Sequence, residues 1–440
     1  MNDADRPGEE PPEEPNGGPP GFGSPFGGLP FLGDLMRLVN SQGSSPWDGA
    51  TQLAVSIASG GKSEPNVDPA DRIELERFAD IARMHVEALS TQPLTPAGTT
   101  LTVVPVTRGI WARQALTDYR SLLEQLSASL NQSPGFGLGG PGGLGGDLGG
   151  VGGAANPLDA FNAMISGLMQ MMGPMMLSMT AGSMVGHLAE RALGTYHLPL
   201  PRPAGAPLQV VMPNVNDFAE EWSIEASQLR MWVCLSELVQ HRVLGQPHVA
   251  QRVNEALSRY VRGFKAEPGA MESLLGGLDP AGMDLTDLNS LSDTTGLAKL
   301  LGDPTALLGA FRSPEQTAML PALQAMAATI VGYVDYRMDE LGRRLLGGAG
   351  RLAEALRRRR VEASSADQFV ERLLGLELTQ STYDRGAAFV SGVVERAGDE
   401  ALERLWEQPE TFPTTAEIEA PGLWLARIEF ISPPDGSSPG

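Results

Sequence analysis

The chain holds 440 residues, 42% of them hydrophobic, which is enough apolar mass for one large domain or two ordinary ones. Its 53 glycines and 35 prolines assign part of that length to linkers or tails. With 32 basic against 53 acidic side chains the net charge is −21, a surface that repels phosphate backbones and anionic lipid and so sets nucleic acid and membranes aside as partners.

In chain order, residues 1–47 form an acidic Gly- and Pro-rich arm expected to be disordered, with one short helix at Phe31–Val39. Residues 48–134 form a helical and strand region. Its first helix, Asp48–Ser59, carries Leu53, Ala54 and Ile57 on one side. Its second, from Pro69 to Leu89, takes Asp68 as N-cap and Ile73, Phe78, Ile81 and Met84 as its core stripe. Leu101–Val106 predicts a strand whose proline marks an edge, and Trp111–Leu130 a helix. The linker 135–156 follows; Gly135–Gly153 carries 12 glycines in 19 residues without a following GK[ST], so it is a spacer and not a phosphate loop.

Residues 157–431 are expected to form a helical domain, with an irregular insertion at 267–304 and a disordered tail at 432–440. Asp159–Glu190 has no charge between its ends and is the one stretch that passes for a membrane span. Its methionines, its Gly, Ser and Asn, and the Gly173-Pro174 break make it a pliable core helix instead. Leu208–Met212 predicts a second strand closed by a Pro213-Asn214 turn. Trp222–Leu244 predicts a helix with Ser223 as N-cap, and further helices span Pro314–Leu346, Gln368–Leu378 and Gly386–Trp406. The fold class is mainly α with a small β-sheet.

The segment Trp232-Val-Cys-Leu-Ser-Glu-Leu-Val-Gln-His-Arg-Val-Leu244 resembles the metal-binding helix of zincins. There HExxH sets two histidines one turn apart, facing one metal, with the glutamate beside them as general base. The resemblance continues through Val210–Val215, Trp222, Leu373-Leu-Gly-Leu-Glu377, Tyr383-Asp-Arg-Gly386 and Phe389-Val-x-x-Val393-Val-Glu-Arg-Ala-Gly398. It closes with Leu405-Trp-x-x-Pro409 and Phe412-Pro-Thr…Pro421-x-x-Trp424. From about Asp48 to Arg427 the chain is similar to the zincin-like metallopeptidase family common in actinobacteria. That resemblance implies a zincin-like α+β fold and hydrolase chemistry.

The motif itself is altered. Ser236 and Gln240 stand at the two histidine positions and Glu237 alone remains. Where the family carries its third ligand ahead of a glycine, this chain has Val331 before Gly332. Hydroxyl, amide and valine are not a zinc set. One implied reading is a protein without cofactor, a pseudoenzyme whose Glu237 is vestigial and whose cleft, between strand Leu208–Met212 and the Trp232–Leu244 helix, binds a protein or peptide partner. The alternative is a zinc-dependent hydrolase with an unorthodox site: His241 lies four residues after Glu237, with Asp335 or Glu395 available to complete a ligand set.

Other chemistry is weaker. Ser236 lacks a G-x-S-x-G elbow. Arg357–Arg360, with Arg343, Arg344 and Arg351, predicts a solvated helix face or salt bridges, and its sharper alternative is a docking site for an acidic partner or nucleic acid. Cys234 is the only cysteine, which forbids an intrachain disulfide and predicts a small buried side chain. No basic patch leads into an apolar run at the N-terminus, and the expected location is the cytoplasm.

Overall fold

A computed structural model describes residues 46–90, 92–95, 101–131, 175, 178–264 and 312–431. The expected arm and its short helix, the Gly135–Gly153 linker, the first part of the methionine-rich stretch, the 267–304 insertion and the tail lie outside the described residues.

The chain runs through helices α1 (Pro46–Ala58) and α2 (Pro69–Glu87), strand β1 (Val103–Val106), α3 (Arg108–Asn131) and a helix α4 at residues 178–189. Strand β2 (Leu208–Val211) leads directly into α5 (Met212–Glu221), followed by α6 (Ala226–Leu244) and α7 (Pro247–Val261). Then come α8 (Pro314–Leu345), α9 (Ala349–Val361), α10 (Ser365–Leu373), α11 (Gln380–Ala397), a 3₁₀ stretch at Asp399–Trp406, α12 (Thr415–Glu419) and α13 (Pro421–Ile431). The fold is mainly α with a two-stranded parallel sheet, in which Val103 lies opposite Leu208 and Val106 opposite Val211. Pro105 is tolerated because a strand of such a sheet has a free edge.

Small residues set how closely the helices pack. On α1 the buried positions are Ala50, Ala54 and Ala58, one turn apart. A Cβ on Gly182 of α4 would come within 2.4 Å of the Ala50 carbonyl oxygen, so these two backbones nearly touch. The same logic overturns the core stripe expected on α2. Leu75, Ala79, Ala82 and Val86 are buried against its neighbours, α6 above all. Ile73 and Met84 stand 70% and 60% exposed, Ile81 is exposed too, and Phe78 is half-buried. The helix turns its alanines inward because they let α6 approach, a gain that outweighs hiding the larger side chains. Asp68 does cap α2, accepting from Ala70 N at 2.8 Å.

Three further expectations are corrected. Pro213-Asn214 is the first turn of α5 and not a closing turn, since proline there has no amide to lose. Asn214 Nδ2 donates instead to the carbonyls of Ala189 and Ala192, tying down the end of α4. The helix expected over Trp222–Leu244 begins at Ala226, because Ser223 sits at φ 50° and breaks the chain. Ser223 therefore caps nothing. Helices expected at Gln368–Leu378 and Gly386–Trp406 shift to α10 and α11: a Ser364–Asp367 capping box starts the first and Gly398, at φ 81°, ends the second.

Among the described residues, α8 is the helix long and apolar enough to cross a membrane, and 67% of its most apolar window is buried inside the protein. Its length serves packing. It lies along α11 and also contacts α6 and α7. At the α8–α11 crossing a Cβ on Gly332 would fall 2.4 Å from the Gly386 carbonyl carbon, and one on Gly386 would fall 2.1 Å from the Ala328 oxygen. Only glycine fits at either place.

Candidate functional site

Helix α6 runs through the middle of the molecule, so almost every residue from Leu229 to Leu244 is buried, including the polar Ser236, Glu237, His241 and Arg242. One face looks into a cleft of about 1170 Å³, its open mouth included. That face presents Trp232, Val233, Ser236, Glu237 and Gln240. Across from it stand Ile330, Val331, Val334 and Asp335 of α8. Ser236 and Gln240 share the inward face one turn apart, as the spacing predicts, and Gln240 Nε2 donates to Ser236 Oγ at 3.3 Å.

The third wall is not strand β2, which lies away from the cleft in the core, but the chain that runs along its edge. Thr195 N donates to Gln209 O and Val211 N donates to Leu193 O, adding residues 193–195 to the sheet. Trp111 Nε1 on α3 fixes the Gly194 carbonyl at 2.8 Å. This edge brings the Tyr196 amide to Glu237, donating toward both carboxylate oxygens at 3.2 Å. Gly194 has to be glycine here, since a Cβ would lie 2.2 Å from Glu237 Oε1. Burial pushes the Glu237 carboxyl up to about 8, against the opposing pull of the Tyr196 amide, Arg202 and the Thr195 donors. At neutral pH it is mostly protonated.

His241 does not join it. Its Nδ1 is 2.9 Å from the Tyr196 hydroxyl, and burial pushes the imidazole down to about 4, leaving it neutral. It lies outside the residues that line the cleft, so Tyr196 stands between the two groups expected to pair, its amide on Glu237 and its hydroxyl on His241. The two arginines of α6 are engaged away from Glu237: Arg242 with Glu403, and Arg230 with Asp71 and Glu74. Glu395 is exposed, and Asp335 is held by Arg360 at 2.6 and 2.7 Å. Among the described residues no three of His, Cys, Asp or Glu stand together as a metal site. The donors at Ser236, Gln240 and Val331 are a hydroxyl, an amide and a hydrocarbon, so the residues present do not fit zinc.

The far end of the cleft was hidden from the sequence reading. The Arg357–Arg360 run divides: Arg357 and Arg358 face solvent beside Asp339 and Glu354, whereas Arg359 and Arg360 line the cleft. Asp367 accepts from His197 Nε2 at 2.9 Å, pairs with Arg191 at 3.2 Å, and accepts from Ser364 N and Oγ. Burial works to raise the Asp367 carboxyl, but His197 and the Ser364 donors hold it far below the usual carboxylate range. Glu371, bonded to Leu378 N, is pushed up by burial to about 7. No local motif announces this cluster; only the Ser364-x-x-Asp367 capping box was there to be seen, and it speaks of a helix start. Cys234 is buried as predicted, and burial pushes its thiol well above the ordinary range.

The family model described as "Zincin-like metallopeptidase" matches residues 46–425. A crystal structure from Chloroflexus aurantiacus, described as a "putative hydrolase with a novel fold", superposes with a TM-score of 0.54 at 21% identity, covering 87% of this chain and 98% of that one. At that identity the likeness is one of fold. No curated protein matches the sequence.

Proposed function

Since the chain belongs to the zincin-like metallopeptidase family, we propose that it keeps the family's cleft as a non-catalytic binding site for a peptide or protein segment, Ser236, Gln240 and Val331 standing where the zinc ligands have been lost. The observation that carries this reading is convergence. Two positions on α6 and one on α8, some ninety residues on in sequence, line the same cleft beside Glu237, and none of the three offers a zinc donor. Gln240 Nε2 donates to Ser236 Oγ, which leaves the Ser236 hydroxyl hydrogen and the Gln240 carbonyl oxygen facing the cleft lining. The cleft, apolar at Ile330, Val331, Val334 and Met338 of α8 with polar groups on α6, has the character of a ligand pocket.

A second reading, a hydrolase built on Glu237, draws support from a carboxyl near 8 that lines the cleft, in the range of a general base. Against it stands His241, bonded to Tyr196 and outside the cleft.

Protein purified without a metal-affinity tag is assayed for zinc by elemental analysis and for cleavage of a peptide library. The proposal expects neither stoichiometric zinc nor turnover. Zinc at about one per chain, lost on Glu237→Ala or His241→Ala, sinks it. The constructive arm is the triple change Ser236→His, Gln240→His and Val331→Glu. A gain of zinc affinity supports the assignment of the three positions, and a triple variant that binds no zinc overturns it.

A further inference from the structure

Charge inside the cleft does not balance. Arg191, Arg359 and Arg360 all line it. Asp335 takes Arg360 in a two-pronged pair, and Asp367 takes Arg191 together with His197. The other two carboxyls, Glu237 and Glu371, are pushed up by burial to about 8 and about 7, so neither supplies a full charge at neutral pH.

Arg359 is left without a carboxylate in ion-pair contact among the described residues. Its Nη2 donates to the backbone carbonyl of Arg191, and Arg191 Nη2 returns the bond to the Arg359 carbonyl at 3.1 Å. The Arg359 guanidinium lies 4.9 Å from the centre of the Phe218 ring, and Asp367 and the exposed Glu221 act on it only through longer-range attraction. Burial and the nearby Arg191 charge hold Arg359 down to about 10. Two guanidiniums side by side at a cleft wall repel each other, and a half-buried cation without a counter-charge is costly unless an anion arrives. The remaining wall is apolar along α8 and Trp232, while Ser236 and Gln240 offer a donor and an acceptor suited to an amide.

We propose that the cleft binds the free carboxyl end of an apolar peptide, the carboxylate seated on Arg359 and Arg191 and the terminal side chain in the apolar part of the cleft. This rests on the reading of the same cleft as a binding site. Guanidinium forks match carboxylates in geometry as well as charge.

The test is calorimetric titration of the wild-type chain with N-acetyl-leucyl-phenylalanine, with its C-terminal amide and with octanoate. Trp232 lines the cleft, so quenching of tryptophan fluorescence gives a second readout. The acid is expected to bind at least about tenfold more tightly than the amide. Arg359→Gln removes that preference, and Arg358→Gln, an exposed residue paired with Glu354, keeps it. Acid and amide of equal affinity, an acid that never saturates, or octanoate binding more tightly than the peptide acid overturns the proposal. The acid–amide comparison uses the wild-type chain, so it decides the matter even where Arg359→Gln fails to fold. Mass spectrometry of the recovered probe separates the two readings. A probe held through its carboxylate but returned cleaved keeps the anion site and refutes the non-catalytic cleft. An intact probe indifferent to amidation does the reverse.

Discussion

Replacing Glu237 by glutamine tests the electrostatics of the cleft directly. The native carboxyl is 3% exposed and titrates near 8 against an ordinary value of 4.5. A carboxyl raised in the folded state takes up a proton on folding between those two values, so its contribution to stability is complete below about 4.5 and drains away as pH climbs toward 8. Each pH unit inside the window costs about 1.4 kcal/mol, so wild type loses on the order of 2–3 kcal/mol from this group between pH 5 and pH 7. Glu237→Gln keeps an oxygen to accept the Tyr196 amide and does not titrate. Glu371 drifts the same way in both proteins and cancels. Urea unfolding followed by circular dichroism at pH 5, 6 and 7 should therefore show the variant gaining on wild type by on the order of 2–3 kcal/mol across the series, whatever their offset at pH 5. Parallel stability curves would mean that Glu237 is ionised in the fold, and the argument for a neutral acid in the cleft would be wrong.

The α8–α11 contact makes a sharper structural prediction: Gly332→Ala should lower stability by about 2 kcal/mol or more, since its Cβ meets main chain and not a movable side chain. Gly350→Ala, in α9 with nothing within 4 Å, should be neutral or stabilise by up to about 1 kcal/mol when the two variants are compared in thermal melts. Arg337, 1% exposed, pairs with Glu340, Asp399 and Glu403. Its replacement by alanine should cost on the order of 3 kcal/mol, because the buried volume its side chain fills is emptied and its charged hydrogen bonds to Asp399 and Glu403 are lost, whereas Arg357→Ala at an exposed pair should cost under about 1 kcal/mol. Comparable midpoints for those two arginine variants would refute the claim that burial decides between them.

What could be seen in the sequence was whatever a single helix or strand determines. Ser236 and Gln240 share a face because four residues make slightly more than one turn, and Asp68 caps α2 because its side chain reaches an amide two residues away. The two strands were visible as short β-branched runs. What failed was whatever depends on which partner a surface meets. On α2 the larger apolar residues seemed the natural core, but the alanines face α6. The break at Ser223 uses a positive φ that its residue type does not announce. In the cleft, α6 was legible, but Arg191 and His197 come from one stretch and Arg359 and Asp367 from another, with His197 and Asp367 170 residues apart, and they meet only in three dimensions. His241 shows the limit most plainly: its spacing from Glu237 was right for a shared face, and the side chain of Tyr196 then took its imidazole away from the cleft.

The glycine crossing of α8 and α11 works as a hard stop. Because the two main chains rest on one another at Gly332 and Gly386, the neighbouring α8 positions Val331, Val334 and Asp335 are held by a backbone abutment that no lining side chain supplies. Chemistry and gauge are thereby uncoupled: a residue on the cleft wall can be exchanged for one of a different kind while the mounting on which it sits stays where it was.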